Sequence, residues 1–199
     1  WGISKEEREK IDKLPNDKFF YVTDPFSGDD KVVAVPVPQI DTAIIHAQVC
    51  SPDGTTRIIG DEFHDVDIAI AAKKTIVTCE ELMSNEDIRR DPTKNTIPGM
   101  CVDAVVHVPK GAHPSQCYGY YDYDANFLRM YEQVSKTEEG FKAFVQEYIY
   151  NFKDHSEYLE KIGLETLLNI MAVQGYGYAT DVLKKQIDSE AEKEDSDNE

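Results

Sequence analysis

The sequence predicts an α/β fold, a mostly parallel sheet with flanking helices followed by a helical C-terminal region and a disordered acidic tail. Three observations carry that expectation. Short β-branched runs at 31–37, 42–47, 75–79 and 102–108 are nearly continuous in apolar residues instead of alternating, the texture of strands buried on both faces of a parallel sheet. A helical stretch at 66–74 separates two of them, giving the strand–helix–strand order of a parallel crossover. Beyond Pro109 the strand signal fades, and helical periodicity takes over from Asn126.

The elements follow in order. Ser4-Lys5-Glu6-Glu7 is a capping-box pattern opening a short helix that Pro15 ends near Leu14. Residues 16–30 are rich in Asn, Asp, Ser, Gly and Pro and are expected as a surface loop. Lys31–Val37 and Thr42–Ala47 are strands bounded by Pro36, Pro38 and the Ser51-Pro52-Asp53-Gly54 turn, with Thr55–Ile59 a weaker strand after it. Asp65 is placed as N-cap of the 66–74 helix, with Lys73 and Lys74 in its last turn. Thr75–Cys79 and Val102–Val108 complete the sheet. Residues 109–124 hold Gly111, Pro114, Gly119 and four tyrosines, and the helices expected beyond are 126–134, 137–152, 155–162 and 164 to about 171. Residues 188–199 carry seven acids and one lysine, too charged and too poor in apolar groups to pack. The expected division is therefore a domain over 1–187 and a disordered tail over 188–199.

Composition narrows the function. The 199 residues hold 38 Asp and Glu against 21 Lys and Arg, a formal charge of −17, which disfavours phosphate backbones and anionic lipid as partners. No nucleic-acid or membrane partner is expected, since the longest apolar run, 32–38, is seven residues with two prolines. Cys50, Cys79, Cys101 and Cys117 are widely spaced with no Cys-x-x-Cys, which points to a reducing cytoplasm and buried free thiols. The opening Trp1-Gly2-Ile3 reads as interior to a longer chain.

The chemistry-bearing candidates each have a plainer use. His46, near the carboxyl end of an expected parallel strand, lies where open α/β sheets bind ligands, yet a core histidine bonded to a backbone carbonyl gives the same pattern. The acids around His64 resemble a metal cluster, but Asp65 is better used as a cap and no spaced second group of ligands follows, so no metal is expected. Glu80-Glu81 is expected as a solvated pair at a strand end, with base or nucleophile as the less favoured alternative. The loop 111–117 gathers His113, Ser115, Gln116 and Cys117. A His113–Cys117 catalytic pair lacks a third orienting group, and a polar binding loop is the better use. No phosphate-loop, dinucleotide, nucleophile-elbow or zinc-protease motif occurs.

Three segments carry a resemblance. VAVPVPQIDTAIIHAQVCSPDGTTRI (33–58), DVDIAIAAKKTIVTCEEL (65–82) and IPGMCVDAVVHVPKGAHPSQCYGYYDYD (97–124) resemble, in order, the Ile-His-Ala segment with its Asp-Gly turn, the Ala-Ala-Lys helix leading to a Glu-Glu strand end, and the Pro-Gly-x-x-Val-Asp strand of the acyl-CoA transferase family with separate A-type and B-type subunits. The resemblance runs to about Tyr178. It implies the C-terminal part of an A-type subunit, lacking a glycine-rich segment that lies upstream in the family. It further implies transfer of CoA from an acyl-CoA to a dicarboxylic acid by a ping-pong route. The nucleophilic glutamate belongs to the B-type subunit, so no catalytic residue is expected here. A coenzyme A thioester would be substrate, with no bound cofactor, and the partner would be the CoA-transferase B-type subunit, in a hetero-oligomer of such pairs. His46, Asp53, Gly54, His113 and Ser115 are the substrate- or CoA-binding candidates. A ring-opening CoA-thioester hydrolase subunit of the same superfamily and a non-catalytic partner-binding module remain as alternatives.

Overall fold

The computed structural model describes residues 4–11, 17–28 and 30–180. The expected acidic tail, the end of the first helix and the 187/188 boundary lie outside them. Helix α1 (Lys5–Arg8) begins with the expected capping box: the Ser4 hydroxyl accepts from the Glu7 amide, and the Glu7 carboxylate accepts from the Ser4 amide at 3.1 Å.

Strands β1 (Phe20–Thr23) and β2 (Lys31–Ala34) form a separate antiparallel hairpin, with Phe20 opposite Ala34 and Thr23 opposite Lys31. This corrects two expectations. Residues 20–23 are strand, not loop, and 31–34 pair locally instead of joining the parallel sheet. The hairpin's side chains stay largely exposed, so its apolar run is not the run of a doubly buried strand.

The main sheet has the order β4–β3–β5–β6, formed by β3 (Thr42–Cys50), β4 (Thr56–Arg57), β5 (Lys74–Leu82) and β6 (Ala104–His107). Strands β3, β5 and β6 are parallel, and β4 returns antiparallel to β3 after the Ser51–Gly54 turn. Gly54 takes φ 89°, and a Cβ there would press on Val102 Cβ at 2.8 Å, so the turn and its close contact both call for glycine.

The crossover between β3 and β5 is α2 (Asp65–Ala71). Its N-cap is His64, which makes no side-chain cap bond. Asp65 and Asp67 sit in the first turn, where the helix dipole favours them. The expected lysines lie past its end: the Lys73 amide donates to the Ile40 carbonyl and Lys74 opens β5.

One face of the sheet is the core. Ala43, Ile45, Ala47 and Val49 of β3, with Val77 and Cys79 of β5, are buried under Ala69 of α2 and Ile97. On the opposite face Ile44, paired in register with Ile76, is 74% exposed, while Thr78 and Val106 align beside His46. The expectation of burial on both faces therefore holds along the carboxyl half of these strands, where Gln48 and Glu80 are buried, and fails at Ile44.

Helix α3 (Asn85–Arg90), not among the expected helices, is capped by Ser84 accepting from the Asp87 amide. The helical end comprises α4 (Ala125–Val134), α5 (Glu138–Val145) continuing into a π-turn at Gln146–Tyr150, α6 (His155–Ile162) and α7 (Leu164–Asn169). Asp124, Thr137 and Asp154 cap the first three of these helices. Phe127, Tyr131, Phe144 and Tyr148 pack ring against ring with centroids 4.9–5.8 Å apart, binding α4 to α5 and the π-turn. All four cysteines are free, three of them buried, and among the described residues no helix is long and apolar enough to cross a membrane.

Candidate functional site

A cleft of about 620 Å³ opens beside the carboxyl half of β3, between the 58–65 segment and the loop after β6. Its floor is β3, through His46 and Gln48, with β5 paired beside it. His46 of β3 and Thr78 of β5 are register partners, so their side chains share a face, and Glu80 follows two residues along the same strand. The His46 ring is held at both nitrogens, with Nδ1 2.7 Å from Thr78 Oγ1 and Nε2 2.8 Å from Glu80 Oε1. Gly111 lies against the ring at Cε1, between the two nitrogens, and a Cβ there would meet His46 Cε1 at 2.9 Å and the Val108 carbonyl at 2.7 Å.

Glu80 corrects the expectation of a solvated pair. Its side chain is only 3% exposed. The Tyr121 hydroxyl donates to Oε1 at 2.7 Å, and the Lys110 amide donates to both carboxylate oxygens at 2.9 Å. Lys110 adopts φ 64° to aim that amide, an uncommon conformation for a side-chain-bearing residue. Burial pushes the Glu80 carboxyl up, but the bonds from His46, Lys110 and Tyr121, with the nearby imidazole charge, together outweigh it and hold the group below its ordinary value. Glu80 is thus an anion, and an anionic acceptor requires that His46 Nε2 carry a proton.

The loop 109–124 closes over these strands. The Ala112 amide donates to the Tyr121 hydroxyl at 2.9 Å, and the Lys110 ammonium stands 4.3 Å from the Tyr121 ring centroid. Burial and the Glu80 charge push the Tyr121 hydroxyl far up, and the same two causes push the Cys117 thiol up to about 12. Burial lowers Lys110, against the pull of Glu80 and Cys117.

Gln48, two residues after His46, pins both walls: its amide nitrogen donates to the carbonyls of Ile59 at 3.0 Å and Tyr118 at 3.2 Å, and its oxygen accepts from the Ile59 amide. Apolar wall surface comes from Ile58, Ile59, Phe63 and Tyr118, with Asp61 and Asp65 adding negative charge. Among the described residues, the lining contains no lysine or arginine.

Of the residues singled out from the sequence, His46 lines the cleft; Asp53, Gly54, His113 and Ser115 are not in its lining. Asp53 stays in its turn, accepting from the Ser51 hydroxyl at 2.6 Å and the Thr55 amide at 3.1 Å, and pairing with Arg89. His113 is buried among Phe127 and Tyr158, its Nδ1 2.6 Å from the Tyr158 hydroxyl and its Nε2 3.3 Å from Asp124. Burial, more than the opposing Asp124 carboxylate, sets its pKa below the ordinary value. Ser115 is exposed in the same loop. His113 is therefore no partner for Cys117, whose thiol instead lies with the ligand atoms of His46 and Glu80 within 4.8 Å of one another. Glu80, Tyr121 and Gln48 escape a sequence reading because their partners lie 11 to 70 residues away in sequence.

The coenzyme A transferase family model matches residues 3–108, the hairpin and the whole main sheet. The chain belongs to the coenzyme A transferase family. It is similar to the A-type subunit of glutaconate CoA-transferase from Acidaminococcus fermentans, 64% identical over 93% of this chain and 58% of the relative. It is also similar to the A-type subunit of 3-oxoadipate CoA-transferase from Pseudomonas knackmussii, 36% identical over 74% of this chain and 51% of that one. The crystal structure of glutaconate coenzyme A-transferase from Acidaminococcus fermentans superposes with a TM-score of 0.81, covering 92% of this chain and 58% of the crystallised one. The chain thus spans between about half and three-fifths of the length of these curated relatives.

Proposed function

We propose that this chain is the A-type part of a two-chain CoA-transferase that moves CoA from an acyl-CoA such as acetyl-CoA to a dicarboxylic acid such as glutaconate. The observation that carries the proposal is 64% identity, across 93% of the chain, to the A-type polypeptide of a glutaconate CoA-transferase. The CoA thioester is a substrate, and no resident cofactor is invoked. The partner is the B-type subunit, in a hetero-oligomer of such pairs, and the four free cysteines suit work in the cytoplasm.

In this route a glutamate of the B-type partner attacks the thioester carbonyl, and the CoA thiolate leaves, giving a mixed anhydride. The thiolate then attacks the glutamyl carbonyl and releases the first acid. The acceptor carboxylate attacks the resulting glutamyl thioester, and the thiolate, released again, takes the new acyl group from the second anhydride, restoring the glutamate. Glu80 is unsuited to that role. It is buried, it accepts three hydrogen bonds at Oε1, and it is not part of the cleft lining, so it has no line of attack on a bound thioester. Its site gives instead a rigid anionic support for His46.

The cleft's mixed apolar and tyrosine walls suit an uncharged acyl or pantetheine stretch, and its lack of basic residues leaves the carboxylates of the acid to be met by the B-type partner. His46 forms the floor against which that stretch rests. His113 and Ser115 act through the loop that also carries Gln116 and Cys117 into the cleft, and Asp53 and Gly54 through the turn that joins β3 to β4.

The test is thioester exchange, read by mass spectrometry, with the complete A-type protein co-purified with its B-type partner, acetyl-CoA and a panel of acids. A new acyl-CoA with the acceptor acid, and a borohydride-sensitive adduct on the partner, are expected. Free CoA without exchange would move the assignment to a hydrolase, and no reaction would move it to a docking module.

A further inference from the structure

Nothing in CoA transfer uses the thiol that faces the His46–Glu80 pair. Cys117 Sγ, one His46 ring nitrogen and a Glu80 carboxylate oxygen gather within 4.8 Å, from the loop after β6 and two adjacent strands, and His46 and Cys117 both line the cleft. One nitrogen, one oxygen and one sulfur donor converging beside an open cleft is the donor set of a three-protein-ligand zinc site with a free fourth position.

We propose that His46 Nε2, Glu80 Oε1 and Cys117 Sγ bind a zinc-class divalent cation, with its open coordination position facing the cleft. The outer supports are already in place. Thr78 Oγ1 stands 2.7 Å from His46 Nδ1 and fixes the ring plane, and it can accept the Nδ1 proton once Nε2 is taken by metal. Tyr121 and the Lys110 amide orient the carboxylate. The rearrangement is small. In a tetrahedral zinc site the nitrogen and oxygen stand about 3.3 Å apart and each lies about 3.6 Å from the sulfur. Nε2 and Oε1, now 2.8 Å apart, must open by about half an ångström, and the thiol must close by up to about 1.2 Å. Two features oppose the cation, the Lys110 ammonium 4.3 Å from the Tyr121 ring and the protonated state of the thiol. Binding therefore releases the thiol proton, along with an imidazole proton if the ring is doubly protonated. The metal replaces the proton that Nε2 now shares with Glu80.

The inference does not rest on the CoA-transfer assignment, and its readout is independent of activity. The complete protein, purified metal-free, is titrated with Co²⁺ and followed by absorbance. A thiolate-to-cobalt charge-transfer band in the near ultraviolet is expected, displaced by Zn²⁺, with apparent affinity rising about tenfold per pH unit for each proton released. Cys117→Ser is expected to abolish the band and Thr78→Val to weaken binding about 10-fold or more. Cys101→Ser, at a half-buried thiol outside the cluster, is expected to leave it unchanged. Circular dichroism confirms that each variant folds, and His46→Gln gives a second ligand test should Cys117→Ser fail to fold. Absence of the band, or a band that survives in folded Cys117→Ser or is left unweakened by His46→Gln, overturns the site.

Discussion

Glu80→Leu keeps most of the side chain's bulk and removes the acceptor of three donors. His46, 15% exposed at its side chain, can turn its freed N–H to water in the cleft. The Tyr121 hydroxyl and the Lys110 amide have no such outlet, and each unpaired buried donor costs roughly 1–3 kcal/mol, or about 4 kcal/mol for the pair. For a chain of this size about 1 kcal/mol lowers the melting temperature by about 2–4 °C, so a drop of about 8–16 °C is expected. Glu80→Gln separates charge from connectivity. With its carbonyl oxygen in the place of Oε1, it still accepts from His46 Nε2, Tyr121 and Lys110. Only charge assistance is lost, roughly 1–2 kcal/mol. The sign of the pH dependence follows from the lowered native pKa. The ionised form is favoured by folding, so its contribution is complete above the unfolded value near 4.3 and fades as pH falls through the lower native value. Thermal melts of the three proteins at pH 7 and near pH 4 are the assay. A Glu80→Leu variant that melts within about 2 °C of the parent, or a Glu80→Gln variant that melts below Glu80→Leu, refutes the reasoning.

Three further outcomes follow from the same geometry. Gly111→Ala forces a methyl onto the His46 ring and the Val108 carbonyl; overpacking of this kind costs roughly 1–3 kcal/mol, and denaturant titration is expected to show it together with a raised KM for the thioester. Gln48→Leu frees the walls at Ile59 and Tyr118, and hydrogen exchange at residues 58–60 is expected to accelerate at least about tenfold, whereas unchanged exchange would remove Gln48 from the role of wall support. With its pKa at about 12, the Cys117 thiol is ionised to about 1 part in 10,000 at pH 8; peptide mass mapping after brief iodoacetamide treatment is expected to find it unmodified in the folded protein, and labelling at the rate of a free thiol contradicts its described surroundings.

The parallel crossover is legible in the sequence because β3, α2 and β5 each carry their own signal: β-branched runs flank a segment of helical period, and turn residues separate them. The cap at Ser4 is legible for the same local reason. What fails is inference from apolar runs to their cover. Val32 and Val33 look like core strand residues, yet they belong to an exposed hairpin whose other strand, Phe20–Thr23, is masked by the turn-rich sequence around it. The Ser84-Asn85-Glu86-Asp87 cap holds a usable signal for α3, a helix too short to show a period of its own. In the site, His46 is legible as a histidine on an apolar strand. Glu80 is not, because a carboxylate at a strand end looks solvated until Tyr121 and Lys110 are brought onto it from 41 and 30 residues away. His113 and Cys117 invite pairing by proximity in sequence, and the loop turns one toward Tyr158 and the other toward Glu80. One signal is available for the pair on the sheet: in parallel strands in register, His46, Thr78 and Glu80 must emerge on one face.

The central claim is that substrate rests in the cleft floored by His46. The most direct measurement is a crystal structure of the complete two-chain complex with a non-hydrolysable acyl-CoA analogue bound. The expected result places the acyl or pantetheine stretch between the Ile59 and Tyr118 walls, over the His46 ring, with the glutamate of the B-type partner reaching the thioester position. An analogue bound elsewhere, with this cleft unfilled, would contradict it.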